Sequence, residues 1–320
     1  MSIYKALKFV QGAMKGGIAS DLKHYRIIDG TISGFNGMIG LSAPIDIKLT
    51  AFPEAATFAK AIAACDDSVK LSLSNGKVLV ASRGFRAFVP SLDDVAYAVK
   101  PEGKAFPCPK DFVQALADVV AFVADQSPTP WANGVLVDGA CLTATNNQVI
   151  IQRALESGSR LPRGCLPKPA ALELVRIGDA PERMMVNDYS MSFLYSDGRW
   201  LRTQLFNDQW PADKLDGILA NPGKQTKVPT GLAAAIEKIA PFKEDNSSSI
   251  FFEDGFITTL PVEGEGVDVR VPDLPAGACF ALKNLMLVRE VIHAWNLAAY
   301  PDPVCFSAKN IRGALIGQSR

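Results

Sequence analysis

The residues that could carry catalysis or hold a metal ion are few in this chain, and they are scattered. The chain has only two histidines, His24 and His293, and neither lies in a metal-ligand spacing. The pairs Asp66-Asp67 and Asp93-Asp94 could in principle hold a divalent cation, but their polar surroundings suit solvated caps and loops better. The sequence contains no glycine-rich phosphate loop, nucleophile elbow or His-Glu-x-x-His motif. We therefore expect no catalytic centre, no metal and no cofactor.

Bulk composition excludes several other classes of function. Acidic and basic residues balance at 33 each, so the net charge gives no general attraction to nucleic acid or membrane. No apolar run approaches the ~20 residues that a membrane span needs, and the N-terminus lacks a signal-peptide core. We expect a cytoplasmic protein without membrane contact. Six cysteines without paired spacing favour reduced core residues over disulfides: Cys65, Cys108, Cys141, Cys165, Cys279 and Cys305.

The organisation of the chain is repetitive. Turn signals flanked by strand-forming runs recur about every fifty to sixty residues, which is typical of an internal repeat. An Asn-Gly or Asp-Gly pair in that setting predicts a β-hairpin, because both central residues must accept positive φ. The six turns are Asp29-Gly30, Asn75-Gly76, Asp138-Gly139, Asp197-Gly198, Asp254-Gly255 and, more weakly, Lys309-Asn310.

A stretch with helical spacing precedes each hairpin. In one of them Phe112, Leu116, Val119 and Val123 fall on one face of a helix predicted from Lys110 to Asp125. The unit is one helix plus antiparallel strands, six times over, and six units pair into three domains of common size. The sequence thus predicts an α+β fold with three similar domains, separated at short Pro/Gly-bearing linkers: residues 1–103, 104–222 and 223–320.

Motifs in the middle third of the chain resemble those of one known family, the bacterial DNA polymerase sliding clamp, which is the β subunit of the replicative polymerase. Residues 133–136 and 142–145 resemble its Asn-Gly hairpin, 166–176 the start of its next helix, and 205–211 its Leu-x-x-Gly-x-Phe-Pro turn. Matches in the outer thirds are weaker and lie mainly in the first helix, the first hairpin and the final strand. The chain is somewhat shorter than the family norm, which would fit a phage or mobile-element version.

The resemblance implies a non-enzymatic DNA polymerase processivity factor. Two chains would associate head to tail as a homodimer, with sheets outside and helices facing a central hole that holds duplex DNA. Basic side chains on those helices would meet phosphates without reading sequence. Ordinary solvated helix faces are the alternative for the candidate residues, which are Lys5, Lys8, Lys15, Lys23, Lys110, Lys168, Arg176, Lys238, Lys283 and Arg289.

The resemblance also implies an apolar groove that accepts short linear peptides from the polymerase and the clamp loader. By motif position it would use Ala132, Thr145, Asn147, Gln148, Val149, Ile150, Pro211, Leu215, Leu315 and Ile316. Plain core packing is the alternative for Val149, Ile150, Leu315 and Ile316. Where the family has Asp-Gly-His-Arg-Leu, this chain has residues 146–150 as Asn-Asn-Gln-Val-Ile, so the peptide specificity is expected to differ.

Two competing hypotheses remain open. A clamp-like scaffold that binds proteins but does not encircle DNA would suit the scant basic excess. An enzyme whose site is assembled from scattered residues would instead show a deep pocket with strongly perturbed carboxylates.

Overall fold

A computed structural model describes residues 1–66, 68–155, 160–207, 209–243, 248–260 and 265–319. Within them lie seven α-helices and 23 β-strands, joined by short 3-10 turns. In chain order they are α1 (Ile3–Val10), β1 (Arg26–Ile28), β2 (Thr31–Phe35), β3 (Ile39–Pro44), β4 (Phe52–Pro53), α2 (Ala55–Ala63), β5 (Lys70–Ser74), β6 (Lys77–Ser82), β7 (Phe85–Leu92), β8 (Lys104–Pro107), α3 (Phe112–Val120), β9 (Gly134–Gly139), β10 (Cys141–Thr145), β11 (Val149–Ala154), β12 (Leu161–Pro167), α4 (Lys168–Ile177), β13 (Arg183–Val186), β14 (Ser190–Leu194), β15 (Trp200–Gln204), α5 (Ala212–Ala220), β16 (Thr226–Lys227), α6 (Leu232–Ile239), β17 (Ser249–Glu253), β18 (Phe256–Thr258), β19 (Asp268–Arg270), β20 (Cys279–Ala281), α7 (Leu282–Val288), β21 (Ala294–Trp295), β22 (Val304–Ala308) and β23 (Ile311–Leu315).

The chain forms two compact units. The first comprises residues 1–113 and 169–207, and the second comprises residues 114–168 and 208–320. Each unit therefore contains part of the predicted middle domain. The three-domain division stays a prediction.

The first unit holds two antiparallel sheets. One has seven strands in the order β1-β2-β3-β15-β14-β13-β8, and the other has four in the order β4-β7-β6-β5. Helix α1 packs on β2 and β3 through Leu7, Phe9 and Val10, which are almost fully buried. Burying each of these side chains contributes about 1.5–3 kcal/mol relative to leaving it in water. The opposite face of α1 keeps Lys5 and Lys8 in solvent.

The second unit repeats this plan. Its large sheet has eight strands in the order β12-β9-β10-β11-β23-β22-β21-β16, and its small sheet has four in the order β19-β18-β17-β20. The two halves of the large sheet join where β11 pairs with β23, about 160 residues apart in sequence, as the Gln152↔Arg312 register shows.

Five of the six predicted turns connect paired antiparallel strands as expected. The sixth lies one residue later than predicted: Asp138 pairs with Cys141, so the turn between β9 and β10 is Gly139-Ala140. Asp29-Gly30 and Asn75-Gly76 have positive φ at both residues, as a two-residue hairpin requires. The α+β fold class is therefore confirmed.

The helices differ from their predicted extents. Helix α3 ends at Val120, so Val123 packs from the following turn and the prediction of a helix to Asp125 was wrong. The sequence also predicted His293 near the end of a helix, but it lies beyond α7, in the connection to β21. The sequence repeat did not predict α5, because this nine-residue helix lies outside the six helix-plus-hairpin units.

Candidate functional site

Three lysines of the first unit present free amino groups. Lys5 and Lys8 project from the exposed face of α1, and Lys15 follows the 3-10 turn Gln11–Met14. Their amino groups form no hydrogen bond or ion pair with any residue that the structure describes. No acidic residue lies in α1, so the helix presents an uncompensated positive face. Lys23 and Lys110 are also exposed in this unit.

Arg176 has a different role from these lysines. Its guanidinium donates hydrogen bonds to the carbonyl oxygens of Lys8 at 3.1 Å and Phe9 at 2.9 Å, at the end of α1. It also pairs with the buried carboxylate of Glu173 through Nε and Nη2. Terminal helix carbonyls lack partners within their own helix, so Arg176 satisfies the end of α1. The structure thus places this candidate DNA contact in an internal brace.

A cavity of about 440 Å³ adjoins this brace and is lined by Lys5, Lys8 and Arg199, among others. The Arg199 guanidinium lies 4.8 Å from the ring centre of Phe9 and 4.9 Å from that of Tyr195. Burial lowers the pKa of Arg199, but hydrogen bonds and charge from Asp179 and Asp197 outweigh burial and hold the pKa above its usual value. Arg199 was not among the residues predicted from the sequence; its position directly after the Asp197-Gly198 turn was the available signal.

The candidate DNA-contacting residues of the second unit also include both free cations and cations that are paired within the chain. Lys238 on α6 and Lys283 on α7 are exposed, with no ion-pair partner among the residues described. Lys168 instead donates to the carbonyl oxygen of Val123 at 2.9 Å and pairs with Asp125. Arg289 pairs with Glu237 at 3.0 Å. Side-chain partners therefore already hold Lys168 and Arg289 in place.

The predicted groove residues divide between the two faces of the large sheet. Val149 pairs with Leu315, and the adjacent Ile150 pairs with Ala314. Successive side chains of a strand point to opposite faces, so Val149 and Leu315 share one face while Ile150 and Ala314 share the other. Thr145 pairs with Ile150 and belongs to the second face. We call the surface formed by Thr145, Ile150, Ala314 and Ile316 the outer face of the β10–β11–β23 strands.

Ile316 continues the alternation of β23 onto this outer face and is 45% exposed. Val149 and Leu315 lie together on the opposite face of the sheet, where they are 1% and 0% exposed. Core packing, which the sequence left open as an alternative, is the environment that the structure gives these two side chains.

Helix α5 covers part of the outer face. Leu219 is buried in one cluster with Ile150, Ala314 and Cys305, and the partly buried Leu215 and Ile218 pack against that cluster. Pro211 precedes the first residue of α5. Next to it, Trp210 contacts Trp131 edge to face, with ring centres 5.1 Å apart. Ala132, beside Trp131, is fully buried.

Asn147 and Gln148 lie in the turn between β10 and β11. Asn147 has a φ of 69° and donates its side-chain amide to Ser127. The Gln148 side chain accepts a hydrogen bond from Asn284 at 3.3 Å. Both residues line a cavity of about 1010 Å³ together with Lys283 of α7 and Arg289, which directly follows that helix. Two groove candidates and two DNA candidates thus meet at one opening.

Little in the described part of the chain suggests catalytic chemistry. No group of three or more His, Cys, Asp or Glu residues could hold a metal ion within the described ranges. Glu54 is the one carboxyl group there with a resolved pKa shift: burial raises its pKa, but hydrogen bonds from Thr57 outweigh burial and leave the pKa lowered. Of the paired carboxylates, Asp67 lies outside the described residues. No helix in those ranges is both long and apolar enough to cross a membrane.

Comparison with known proteins identifies the fold. No protein-family model matches the chain, and no curated protein matches it in sequence. Solved structures of bacterial sliding clamps do match along nearly the whole chain. The Caulobacter crescentus β sliding clamp, solved with polyethylene glycol at a region assigned to β-motif tethering, has a TM-score of 0.85 at 16% identity, covering 100% of this chain and 97% of that one.

Two further clamps match equally well. The Pseudomonas aeruginosa DNA polymerase sliding clamp, solved with a ligand, has a TM-score of 0.84 at 16% identity, covering 99% of this chain and 97% of that chain. The Bacillus subtilis DNA polymerase sliding clamp has a TM-score of 0.83 at 15% identity, with coverage of 99% and 97%. The chain has the sliding-clamp fold, which confirms the resemblance seen in its sequence.

Proposed function

We propose that this protein is a DNA polymerase processivity factor: a ring-shaped sliding clamp that encircles duplex DNA and tethers a polymerase and other partners. The observation that carries the proposal is the match to bacterial sliding clamps over 99–100% of the chain. Because sequence identity is only 16%, the proposal also needs support from this chain's own surfaces.

The free lysines of α1 support contact with DNA. Lys5, Lys8 and Lys15 offer three cations within one short segment, without acidic neighbours on the helix. Lysines that meet phosphates give affinity that is independent of base sequence and falls with salt. A clamp must slide, so a few exposed contacts suit it better than a tightly binding site.

Two free strand edges support closure of a homodimer. In the first unit, residues 85–89 of β7 pair only with β6 among the described residues, because β4 and the Glu54 amide after it reach only Pro90, Ser91 and Leu92. In the second unit, β19 pairs on one side only, with β18. Unpaired edges invite pairing with another chain. We propose that β7 of one protomer pairs with β19 of its partner, twice per closed dimer.

The side chains on these edges are suited to such a contact. Phe88 of β7 is 57% exposed, and Phe256 and Leu260 near β19 are 41% and 42% exposed. Arg86 on β7 and Asp268 on β19 are exposed and carry opposite charges. Apolar contact would supply affinity, and the charges would favour head-to-tail over head-to-head pairing.

Partner recruitment is proposed to use the outer face of the β10–β11–β23 strands. Ile316 is 45% exposed and offers an aliphatic contact there, whereas Ile150 and its cross-strand partner Thr145 are buried. The polymerase and the clamp loader are the expected partners, each through a short linear segment.

The decisive variant reverses the charge of Lys5, Lys8 and Lys15 to Glu. The matched control reverses Lys48, Lys224 and Lys309, which are exposed in loops and turns. Each protein is incubated with nicked circular duplex DNA, isolated by gel filtration, and the DNA is then linearised. The proposal predicts that wild type and control stay with the circle and leave after linearisation, whereas the α1 variant is retained at least tenfold less.

A protein-binding scaffold that does not encircle DNA is the second candidate, favoured by the balance of 33 acidic and 33 basic residues. It predicts no retention of any of the three proteins on circular DNA. Retention that survives linearisation would instead indicate ordinary surface binding and would contradict encirclement.

A further inference from the structure

The outer edge of β5 has no partner strand in the part of the chain that the structure describes. β5 lies at the end of the sheet β4-β7-β6-β5 and pairs with β6 alone. A two-residue turn makes its flanking pair, Ser74↔Lys77, a hydrogen-bonded pair, and the pairs along the two strands then alternate between bonded and non-bonded. Leu71 and Leu73 belong to the non-bonded set, so their N–H and C=O groups point away from β6. We call these four backbone groups the open edge of β5.

The other repeats of the chain show what belongs at this edge. β5, β13 and β21 each follow a helix and begin the second group of strands in one predicted domain. β8 pairs antiparallel with β13, and β16 pairs antiparallel with β21, each shortly before the next helix begins. Ahead of the corresponding helix α1, Met1 and Ser2 join no strand, and the Met1 ammonium pairs with Asp46. A short antiparallel strand is therefore the occupant that the repeat predicts for the open edge.

Part of the apolar face of this sheet is also uncovered beside the open edge. Helix α2 packs on β6 and β7, where Val78 and Val80 are buried. Leu71 pairs with Val80 and Leu73 pairs with Val78, so both leucines continue the same face. Leu73 is nevertheless 48% exposed. Aliphatic side chains on an added strand would cover the two leucines, because residues directly opposite each other on antiparallel strands share a face.

The charge of this sheet is entirely basic. Residues 68–92 contain no acidic residue, although the whole chain has 33 acidic and 33 basic residues. The cations in that range are all exposed, and none forms an ion pair with a described residue; they are Lys70, Lys77, Arg83 and Arg86. Lys70 and Arg86 both pair with Ala81, so they share the face opposite the leucines. Two copies of this edge would bring like charges together, and the favoured occupant is therefore acidic.

We propose that the open edge of β5 is a docking site for an acidic extended segment of a partner protein, which adds to the sheet as an antiparallel strand. The backbone of the segment pairs with Leu71 and Leu73, and its aliphatic side chains lie opposite those leucines. Its carboxylates alternate with the aliphatic residues and lie on the basic face, next to Lys70 and Lys77. β7, the strand proposed for ring closure, lies on the other side of β6, so both edges can be occupied at once.

The probe is a fluorescein-labelled heptapeptide in which four glutamates alternate with three valines. Fluorescence anisotropy with the full-length protein measures its dissociation constant. We expect saturable binding that weakens as the salt concentration rises, because carboxylates meet exposed lysines. A peptide of the same composition with all four glutamates before the three valines lacks the two-residue period of a strand, and should bind at least tenfold more weakly.

Backbone methylation of the peptide tests strand pairing without changing the protein. The valines opposite Leu71 and Leu73 use their N–H groups in the added ladder, whereas the N–H groups of the intervening glutamates face solvent. Methylating the valine nitrogens should weaken binding at least tenfold, and methylating the glutamate nitrogens should weaken it less than threefold. Hydrogen exchange gives a second readout: the peptide should slow exchange of the Leu71 and Leu73 amides at least tenfold. The Ser72 amide already bonds to β6 and should be unchanged.

Two variants of the protein separate the backbone contribution from the charge contribution. Leu73→Pro removes an outward N–H that makes no bond to β6, so the sheet should fold while peptide binding falls at least tenfold. Lys70→Glu combined with Lys77→Glu should weaken binding about tenfold at low salt. The matched control, Lys48→Glu combined with Lys309→Glu, makes the same charge change in an exposed loop and turn and should bind like wild type.

Three results would overturn the docking site. They are no saturable binding to wild type, equal binding of the alternating peptide and its valine-methylated form, and self-association of wild type that Leu73→Pro abolishes. The last result would assign the open edge to a second copy of the chain instead of an acidic partner. None of these measurements involves DNA or a polymerase, so failure of the docking site is distinguishable from failure of the clamp.

Discussion

Truncating Phe88 to alanine should weaken the proposed dimer by twice the energy of one side-chain contact, because the closed dimer contains that contact twice. Phe88 lies on the free edge of β7, and 57% of it is exposed. A phenylalanine can bury about 200 Å², so about 110 Å² of Phe88 remains available for burial. At about 25 cal/mol per Å², full coverage by a partner contributes about 3 kcal/mol, and alanine would forfeit about 2 kcal/mol of this.

A closed head-to-tail dimer contains the contact twice. The loss therefore doubles to about 4 kcal/mol, which raises the dissociation constant roughly 1,000-fold. Sedimentation velocity over a dilution series from nanomolar to micromolar protein measures this constant directly. Because Phe88 is exposed within the chain, thermal unfolding of the variant should match that of wild type when both are diluted to the monomer, since association itself raises the apparent stability of a dimer.

The matched control is Tyr189→Ala. Tyr189 is an aromatic residue that is 67% exposed in the turn between β13 and β14, away from any free edge. Its removal should leave the dissociation constant unchanged. A dissociation constant for Phe88→Ala within threefold of the wild-type value would refute the assignment of the β7 edge to the dimer interface. An equal rise in the dissociation constant for Tyr189→Ala would refute it as well.

Two predictions concern stability in the first unit. Glu54 accepts a hydrogen bond from the Thr57 amide at 2.7 Å at the start of α2, so Glu54→Ala should cost about 1 kcal/mol at pH 7. The pKa of Glu54 is lowered in the folded state, so this contribution is fully present above the unfolded-state pKa and is lost as pH falls through the folded-state pKa. Urea unfolding of wild type and Glu54→Ala at pH 7 and at a pH below the folded-state pKa measures the difference in stability. A difference that is the same at both pH values would contradict the prediction. Gly12→Ala would place a methyl group on the carboxylate of Glu173 and break the Arg176 brace, costing about 2–4 kcal/mol in the same assay. A Gly12→Ala protein as stable as wild type would contradict this prediction; Gly217→Ala, whose added methyl group meets open space, is the control and should not destabilise the protein.

The features that the sequence predicted best are those with local causes. A hairpin such as Asn75-Gly76 depends on two residues that tolerate positive φ, and both are visible in the sequence. The exposed face of α1 likewise follows from helical spacing alone. Motif order along the chain was enough to indicate the clamp fold.

The features that the sequence missed depend on distant partners. Which face of β11 carries Ile150 is fixed by pairing with Ala314, far along the chain, and a shift of one residue would exchange the faces. Helix α5 has a weak local signal, since Gly217 interrupts it and packing on the sheet stabilises it. Nothing in the sequence distinguishes Lys5, which is exposed to solvent, from Arg176, whose guanidinium donates hydrogen bonds to backbone carbonyl oxygens.

Negative-stain electron microscopy of the purified protein across a dilution series tests ring closure directly. We expect closed rings with a central hole wide enough for duplex DNA, converting to single particles at high dilution. Compact single particles at every concentration would contradict ring closure and with it the proposal that this protein encircles DNA.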